Sequence, residues 1–255
     1  MGDSDPVLLV IEGPVATLSF NRPERHNAAN DAMDDAFFDI LEQLHADPSV
    51  RAIVLRGEGP SFSSGRDTSE LGLRRRGESD MEFIERGHRY TRLLLTMPAP
   101  IVVALKGWVI GGSFERALLC DIRVASEDAK MRLPEVAHGV IPDSAGVARL
   151  FQMAGHGLAS DLVLTGRVLT ADEALRHGVV SRVVPEGDLD ATVRAIADTI
   201  AAAPHLAVRL ARRTIANLGH PDVLRTLDDE WLAQSALMAS DEYKAQRDTR
   251  LSGDA

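Results

Sequence analysis

Pro100–Asp121, PIVVALKGWVIGGSFERALLCD, is the stretch on which the fold turns. It joins an apolar, strand-like run, Ile101 to Leu105, to the glycine pair Gly111-Gly112 and then to a helix. Two glycines ahead of a helix let a ligand approach the backbone closely and leave several N–H groups without intrahelical acceptors, a ready partner for developing negative charge. Glu115 follows Gly112 by three residues, about 4.5 Å along a helix axis, which sets a carboxylate one turn from the free amides. The same pattern also arises from a glycine needed for packing and a first-turn Glu answering the helix dipole.

The residues on either side extend the pattern. Val7 to Ile11 and Val15 to Phe20 flank Glu12-Gly13-Pro14 and predict a hairpin. Met33, Phe37, Ile40, Leu41 and Leu44 recur at helical spacing from Asn30 to about His45, with Asn30 or Asp31 as cap. Ala52 to Leu55 and Ile122 to Ala125 are further short apolar strands, and this alternation implies an α/β fold. From residue 143 onward helix dominates: Ala145 to Met153, Leu158 to Leu164, Glu173 to His177 behind the capping box at Thr170, Leu189 to Ala203, Leu206 to Leu218, Val223 to Met238 and Asp241 to about Arg250. One more strand is expected at Val179 to Val184, and a soft boundary near residue 195 divides 1–195 from 196–255. Leu73 to Asp80, with Arg74, Arg75 and Arg76, reads as a polar loop of solvated charge.

The chain has 255 residues, 28 Lys+Arg against 38 Asp+Glu and a net charge of -10, so its overall field repels polyanions and nucleic acid is not an expected partner. A local group of arginines still suffices for a small anion. Cys120 is the single cysteine and lies in an apolar stretch, so no internal disulfide forms and an inert core thiol is expected. No run approaches the length of a membrane span, and the first residues lack the basic and apolar regions of a signal peptide, which points to the cytoplasm. Several chemistries fail on their motifs. Gly107 to Ser113 has no Walker lysine, Gly155-His156-Gly157 lacks the strand and third glycine of a dinucleotide loop, and no Gly-x-Ser-x-Gly elbow occurs. Glu135 and His138 share the spacing of a metal-binding pair without a second such pair, so no metal site is expected.

Taken together, Asn21-Arg22-Pro23-Glu24-Arg25-His26-Asn27-Ala28, Phe62-Ser63-Ser64-Gly65-Arg66-Asp67, Gly107 to Asp121, Pro134-Glu135, and Leu164 through Val180 resemble the enoyl-CoA hydratase/isomerase (crotonase) family, in order and spacing. The resemblance spans nearly the whole chain. It implies an α/β spiral of repeated ββα units carrying the active site, followed by a C-terminal helical region that builds a homotrimer or a dimer of trimers. It implies an acyl-CoA thioester as substrate, with coenzyme A part of that substrate and no separate cofactor.

Residue by residue, the resemblance places two backbone donors for the thioester oxygen on Arg66 and Gly112, and the acid/base pair of a hydratase on Glu115 and Glu135. Coenzyme A contacts fall on Arg22, Arg25, His26, Ser64, Gly65, Asp67 and Lys244. Retention of both glutamates favours a hydratase that converts a 2-trans-enoyl-CoA to a 3-hydroxyacyl-CoA. Two departures stand beside this. Asp143 occupies a position where hydratases usually have glycine; it either caps the following helix or, as in dienoyl-CoA isomerases of the family, acts with Glu135. Arg66 replaces a small residue, and its side chain either narrows the pocket or meets ligand. The alternatives are therefore a dienoyl-CoA or enoyl-CoA isomerase, or an acyl-CoA-binding protein without turnover.

Overall fold

The computed structural model describes residues 5–70, 72–75 and 77–252. In chain order its elements are β1 (Val7–Glu12), β2 (Val15–Phe20), α1 (Asp31–Ala46), β3 (Ala52–Gly57), α2 (Asp80–Thr96), β4 (Ile101–Leu105), β5 (Trp108–Ile110), α3 (Gly112–Leu119), β6 (Ile122–Ser126), β7 (Lys130–Arg132), α4 (Gly146–Thr165), β8 (Leu169–Thr170), α5 (Ala171–Arg176), β9 (Arg182–Val184), α6 (Glu186–Ala202), α7 (His205–Ala239) and α8 (Asp241–Ser252). Local chemistry sets several starts. Asn30 Oδ1 accepts from the Met33 amide at 2.9 Å ahead of α1, and Ser79 and Glu82 bond reciprocally ahead of α2.

The main sheet has the order β1-β2-β3-β4-β6-β9, parallel throughout except for the antiparallel β1–β2 hairpin. Both faces are covered, which is why β4 is apolar at every position. Alternation along the strands sorts the side chains. Val54, Val102, Ala104 and Val124 face Leu189, Val193 and Ala197 of α6, whereas Ile53, Leu55, Val103 and Leu105 join Phe20, Phe37, Leu41 and Phe62 in the larger core. Phe37 and Phe62 both meet Phe20 edge to face.

After β4 the chain leaves this sheet for the smaller one, β5-β7-β8, and then turns into α3. The far end of α3 is held by Arg123, a buried guanidinium whose Nη1 donates to Cys120 O at 2.6 Å and whose Nε donates to Val179 O at 2.6 Å. Cys120 is buried, as expected, and burial pushes its thiol up to about 12.

Two expectations change. The strand foreseen at Val179 to Val184 shortens to Arg182–Val184, because Val179 spends its carbonyl on Arg123 and packs in the core with Val180. The two helices foreseen from Leu206 and Val223 are one 35-residue helix that runs through Pro221 and is fastened just after it by the buried Val223 and Leu227. The two helical pieces read near Ala145 and Leu158 are both present, meeting within α4 at a kink where Gly155 is non-helical (φ 76). Residue 195 lies within α6, which packs on the sheet and runs to Ala202; α7 follows from His205.

Candidate active site

The segment after β3 is laid alongside β5 by a parallel bridge between Ser63 and Val109, with Ser63 N donating to Trp108 O at 3.0 Å and Ile110 N to Ser63 O at 3.0 Å. Three residues further along both segments stand Arg66 and Gly112, and both line one cavity of about 190 Å³. On its other side Ala29 bridges Arg66, donating to Gly65 O at 2.7 Å and accepting from Asp67 N at 2.8 Å. In a parallel bridge that pattern turns the Arg66 N–H away from Ala29. Gly111 N donates to Arg132 O at 2.9 Å, while Gly112 is the first residue of α3 and has no intrahelical acceptor. Among the described residues neither the Arg66 nor the Gly112 amide has an acceptor.

A buried hydroxyl pair fixes these amides relative to each other. Ser63 Oγ donates to Asn27 O at 2.7 Å and so accepts from Ser113 Oγ at 2.8 Å, which ties the first turn of α3 to both loops beside it. Arg22 and Asp67 form an ion pair at 3.1 Å, and Ser64 N donates to His26 O at 2.9 Å. Arg22, Arg25, His26, Ser64, Gly65 and Asp67 thus form one ledge beside the cavity, with Arg25 and His26 exposed, although none of the six lines it. Lys244 stands apart, exposed on α8 and 4.0 Å from Asp241, next to the cavity-lining Tyr243.

Five carboxylates line the same cavity; Asp34 and Glu70 lie beside Arg66, to which both are paired, and Glu115, Glu135 and Asp143 form the rest. Glu115, 1% exposed, carries both hydrogen bonds of its carboxylate on Oε1, from Ser144 N at 3.1 Å and Gly146 N at 3.0 Å. Gly146 has to be glycine, because a Cβ there would stand 2.4 Å from Glu115 Cγ. Burial, reinforced by the charges of Glu230, Glu135 and Asp143, raises Glu115 well above the usual carboxylate range. Glu135 follows Pro134 in a single 3₁₀ turn, Glu135–His138, and burial pushes it up to about 7, with Asp143 adding to the rise. Its Oε1 lies where a Cβ on Gly111 would come within 2.9 Å, and its buried Oε2 has no hydrogen-bond partner among the described residues. Gly111, at φ 60, therefore provides both the turn into α3 and the room for Glu135.

Asp143 does not cap α4. The residue ahead of that helix is Ala145, in the left-handed region (φ 62) and without a side-chain cap, and the amides of the first turn go to glutamates from other helices. Asp143 lines the cavity instead, and burial pushes its carboxyl up to about 6 against the pull of Gln234 and Arg74. The Arg66 side chain turns to Asp31 at 2.8 Å and Asp34 at 3.3 Å while still bordering the cavity. Nor are the arginines after Leu73 a solvated run. Arg74 pairs with Asp80 at 2.8 Å, stacks 4.0 Å above Phe83 and lines the cavity, and Arg75 pairs with Asp35 at 2.7 Å; Arg76 lies outside the described residues.

The sequence reading missed His88, Glu230 and Gln234, all of which hold the loop that bears Asp143. His88 Nε2 lies 2.7 Å from Asp143 O, Glu230 Oε2 accepts from Ala145 N at 2.8 Å, and Gln234 Oε1 accepts from Ile141 N at 3.2 Å. A signal for the last two was present. Val223, Leu227, Glu230, Gln234 and Met238 form the buried stripe of α7 at helical spacing, so its polar members lie on the inward face.

Residues 11–248 match the family model described as enoyl-CoA hydratase/isomerase. The chain belongs to the enoyl-CoA hydratase/isomerase family. It is 36% identical over 217 residues to the short-chain-enoyl-CoA hydratase of Clostridium acetobutylicum, covering 82% of this chain and 80% of that protein. It is 33% identical over 239 residues to the crotonyl-CoA hydratase of Syntrophomonas wolfei, covering 93% and 92%. Its fold superposes on the crystal structure of an enoyl-CoA hydratase/isomerase from Pseudoalteromonas atlantica with a TM-score of 0.87 at 29% identity, over 98% of each chain. Membership confirms the fold expected from the motifs and makes the protein an enzyme of this hydratase/isomerase family. Among the described residues no helix is long and apolar enough to cross a membrane, and no group of three His, Cys, Asp or Glu is placed to hold a metal ion.

The raised carboxyl groups carry a stability signature. Glu135 moves from an ordinary 4.5 to about 7, so the folded state binds its proton more tightly than the unfolded chain, and stability falls as pH rises through that window. Glu135→Gln is expected to unfold at higher urea concentration than the wild type at about pH 8, the difference closing towards about pH 4. A gap independent of pH would contradict the shift.

Proposed function

We propose that the protein hydrates 2-trans-enoyl-CoA thioesters to 3-hydroxyacyl-CoA. One observation carries this reading: two amides without acceptors, Arg66 and Gly112, border the same cavity as two buried carboxyl groups with raised proton affinity, Glu115 and Glu135. The amides would bind the thioester oxygen at about 2.7–3.1 Å and stabilise the enolate formed when water attacks C3. Neighbouring carboxyl groups held in low dielectric titrate as a pair and share a proton near neutral pH. The ionised member takes the proton of the attacking water, and the protonated member delivers its own to C2, so the elements of water are added with no net change in charge.

The ledge formed by residues 22–28 and 64–67 supports binding of the coenzyme A portion, with exposed Arg25 and His26 available to its phosphates. The Arg22–Asp67 pair serves there to lock the two loops together. Among the described residues α7 exposes Leu206, Leu210, Ile215 and Leu218, the last at 84%, and a row of this kind supports self-association through the C-terminal helices as a trimer or dimer of trimers. Light scattering on the purified protein is expected to give three or six times the chain mass; a monomer at micromolar concentration would count against it.

A second reading, isomerisation by Glu135 and Asp143, is favoured by one feature: Asp143 faces the cavity with its carboxyl pushed up to about 6 and its charge felt by Glu135. The two reactions separate in mass. Crotonyl-CoA and longer 2-enoyl-CoA thioesters are expected to gain one water and incorporate labelled solvent oxygen. Glu115→Gln and Glu135→Gln should each lower kcat by roughly 100-fold or more. Double-bond migration without added oxygen, insensitive to Glu115→Gln, would favour the isomerase.

A further inference from the structure

The three consecutive amides at the entrance to α4 are divided between two carboxyl groups. Ser144 N and Gly146 N, at 3.1 and 3.0 Å, point to Glu115 Oε1, while Ala145 N between them points to Glu230 Oε2 at 2.8 Å. The division follows from the backbone of Ala145 (φ 62, ψ 9), a left-handed conformation that any residue with a Cβ adopts at a cost. Ala145 is fully buried, so its amide has no water to fall back on. Glu230 is itself 6% exposed, on a helix far along the chain, and one turn later Gln234 takes the Ile141 amide of the same loop. The hydration proposed above leaves Glu230 without a chemical task.

We propose that Glu230 is a positioning residue for Glu115: it anchors the Ala145 amide, and so keeps the left-handed turn that presents the amides on either side to Glu115 Oε1. This rests on the reading of Glu115 as one of the acid/base pair. With Oε1 held in place, the orientation of Oε2 towards substrate is fixed. Without an acceptor for Ala145 N, the turn relaxes to satisfy that buried donor and carries the Ser144 or Gly146 amide away from Glu115.

What the anchor needs is an oxygen rather than a charge. The charges felt by Glu230 are those of Glu115 from α3, Asp143 from the loop and the adjacent, exposed Asp229, all acidic, and burial with these neighbours pushes Glu230 up to about 8. A carboxyl group protonated near neutral pH still accepts through its carbonyl oxygen. The amide of glutamine offers the same acceptor on a side chain of the same length.

The test compares wild type, Glu230→Gln, Glu230→Leu, Glu230→Asp and Glu115→Gln in steady-state hydration of crotonyl-CoA, with the melting temperature of each recorded. The expected result is that Leu and Asp lower kcat by roughly 10- to 100-fold while KM changes less than about 3-fold, and that Gln stays within about 3-fold of wild type. If Glu230→Leu does not fold, Glu230→Asp, which keeps the carboxyl but withdraws it, decides the matter. Folded Leu or Asp variants with wild-type kcat would overturn the proposal, as would a change confined to KM, or a Gln variant as impaired as Leu. Glu115→Gln separates the two levels. If it is inactive while Glu230→Leu is fully active, only the role of Glu230 fails. If it is fully active, the reading of Glu115 fails and the anchor falls with it.

Discussion

The capture of the α4 entrance by the buried Glu115 carboxyl is the contact on which the rest of the site depends. A carboxylate removed from water costs several kcal/mol unless hydrogen bonds and dipoles replace its solvent. Two N–H groups and the positive end of α4 supply part of that here, while Glu230, Glu135 and Asp143 oppose it. The balance leaves a group whose proton is held tightly in the fold, and that is the property required for proton transfer near neutral pH. Gly146 sets the distance, since any side chain there would displace Glu115.

The remaining parts follow from where α3 is anchored. Arg123 occupies the carbonyls at its C-terminal end, and the Ser63–Ser113 hydroxyl pair ties its N-terminal turn to the loop after β3. A short helix held at both ends keeps the amide of Gly112 and the side chain of Glu115 in fixed relation, which is what preorganised stabilisation of an oxyanion demands. The opposite wall comes from the loop between β7 and α4, which α2 and α7 clamp through His88, Glu230 and Gln234. The start of α3, the loop before α4 and the C-terminal helix α7 therefore meet at one cavity, although Gly112 and Gln234 are more than 100 residues apart in sequence.

The fold was legible because its signals are local. Ile101 to Leu105 is apolar at every position, as a strand covered on both faces must be, and Gly111-Gly112 marks the passage into α3. Glu115 was legible for the same reason, standing one turn inside that helix. Other features depend on long-range pairing that no window of sequence displays. Asp143 looked like a cap because helix entrances favour aspartate, yet tertiary contacts from Glu115 and Glu230 took the amides it would have bonded. Arg74 looked solvated within a basic run, and its stacking on Phe83 brought it into the cavity wall. Glu230 was hidden inside Asp228-Asp229-Glu230, an acidic run that reads as a wet face until the apolar stripe of α7 is phased through it.

The central claim is geometric: the Arg66 and Gly112 amides converge on a single thioester oxygen. A crystal structure with a bound, slowly reacting acyl-CoA analogue measures it most directly. The account predicts that oxygen at about 2.7–3.1 Å from both nitrogens, with the Glu115 and Glu135 carboxyl groups facing the adjoining carbons. A thioester oxygen bonded to neither amide, or an acyl group seated away from the two glutamates, would contradict it.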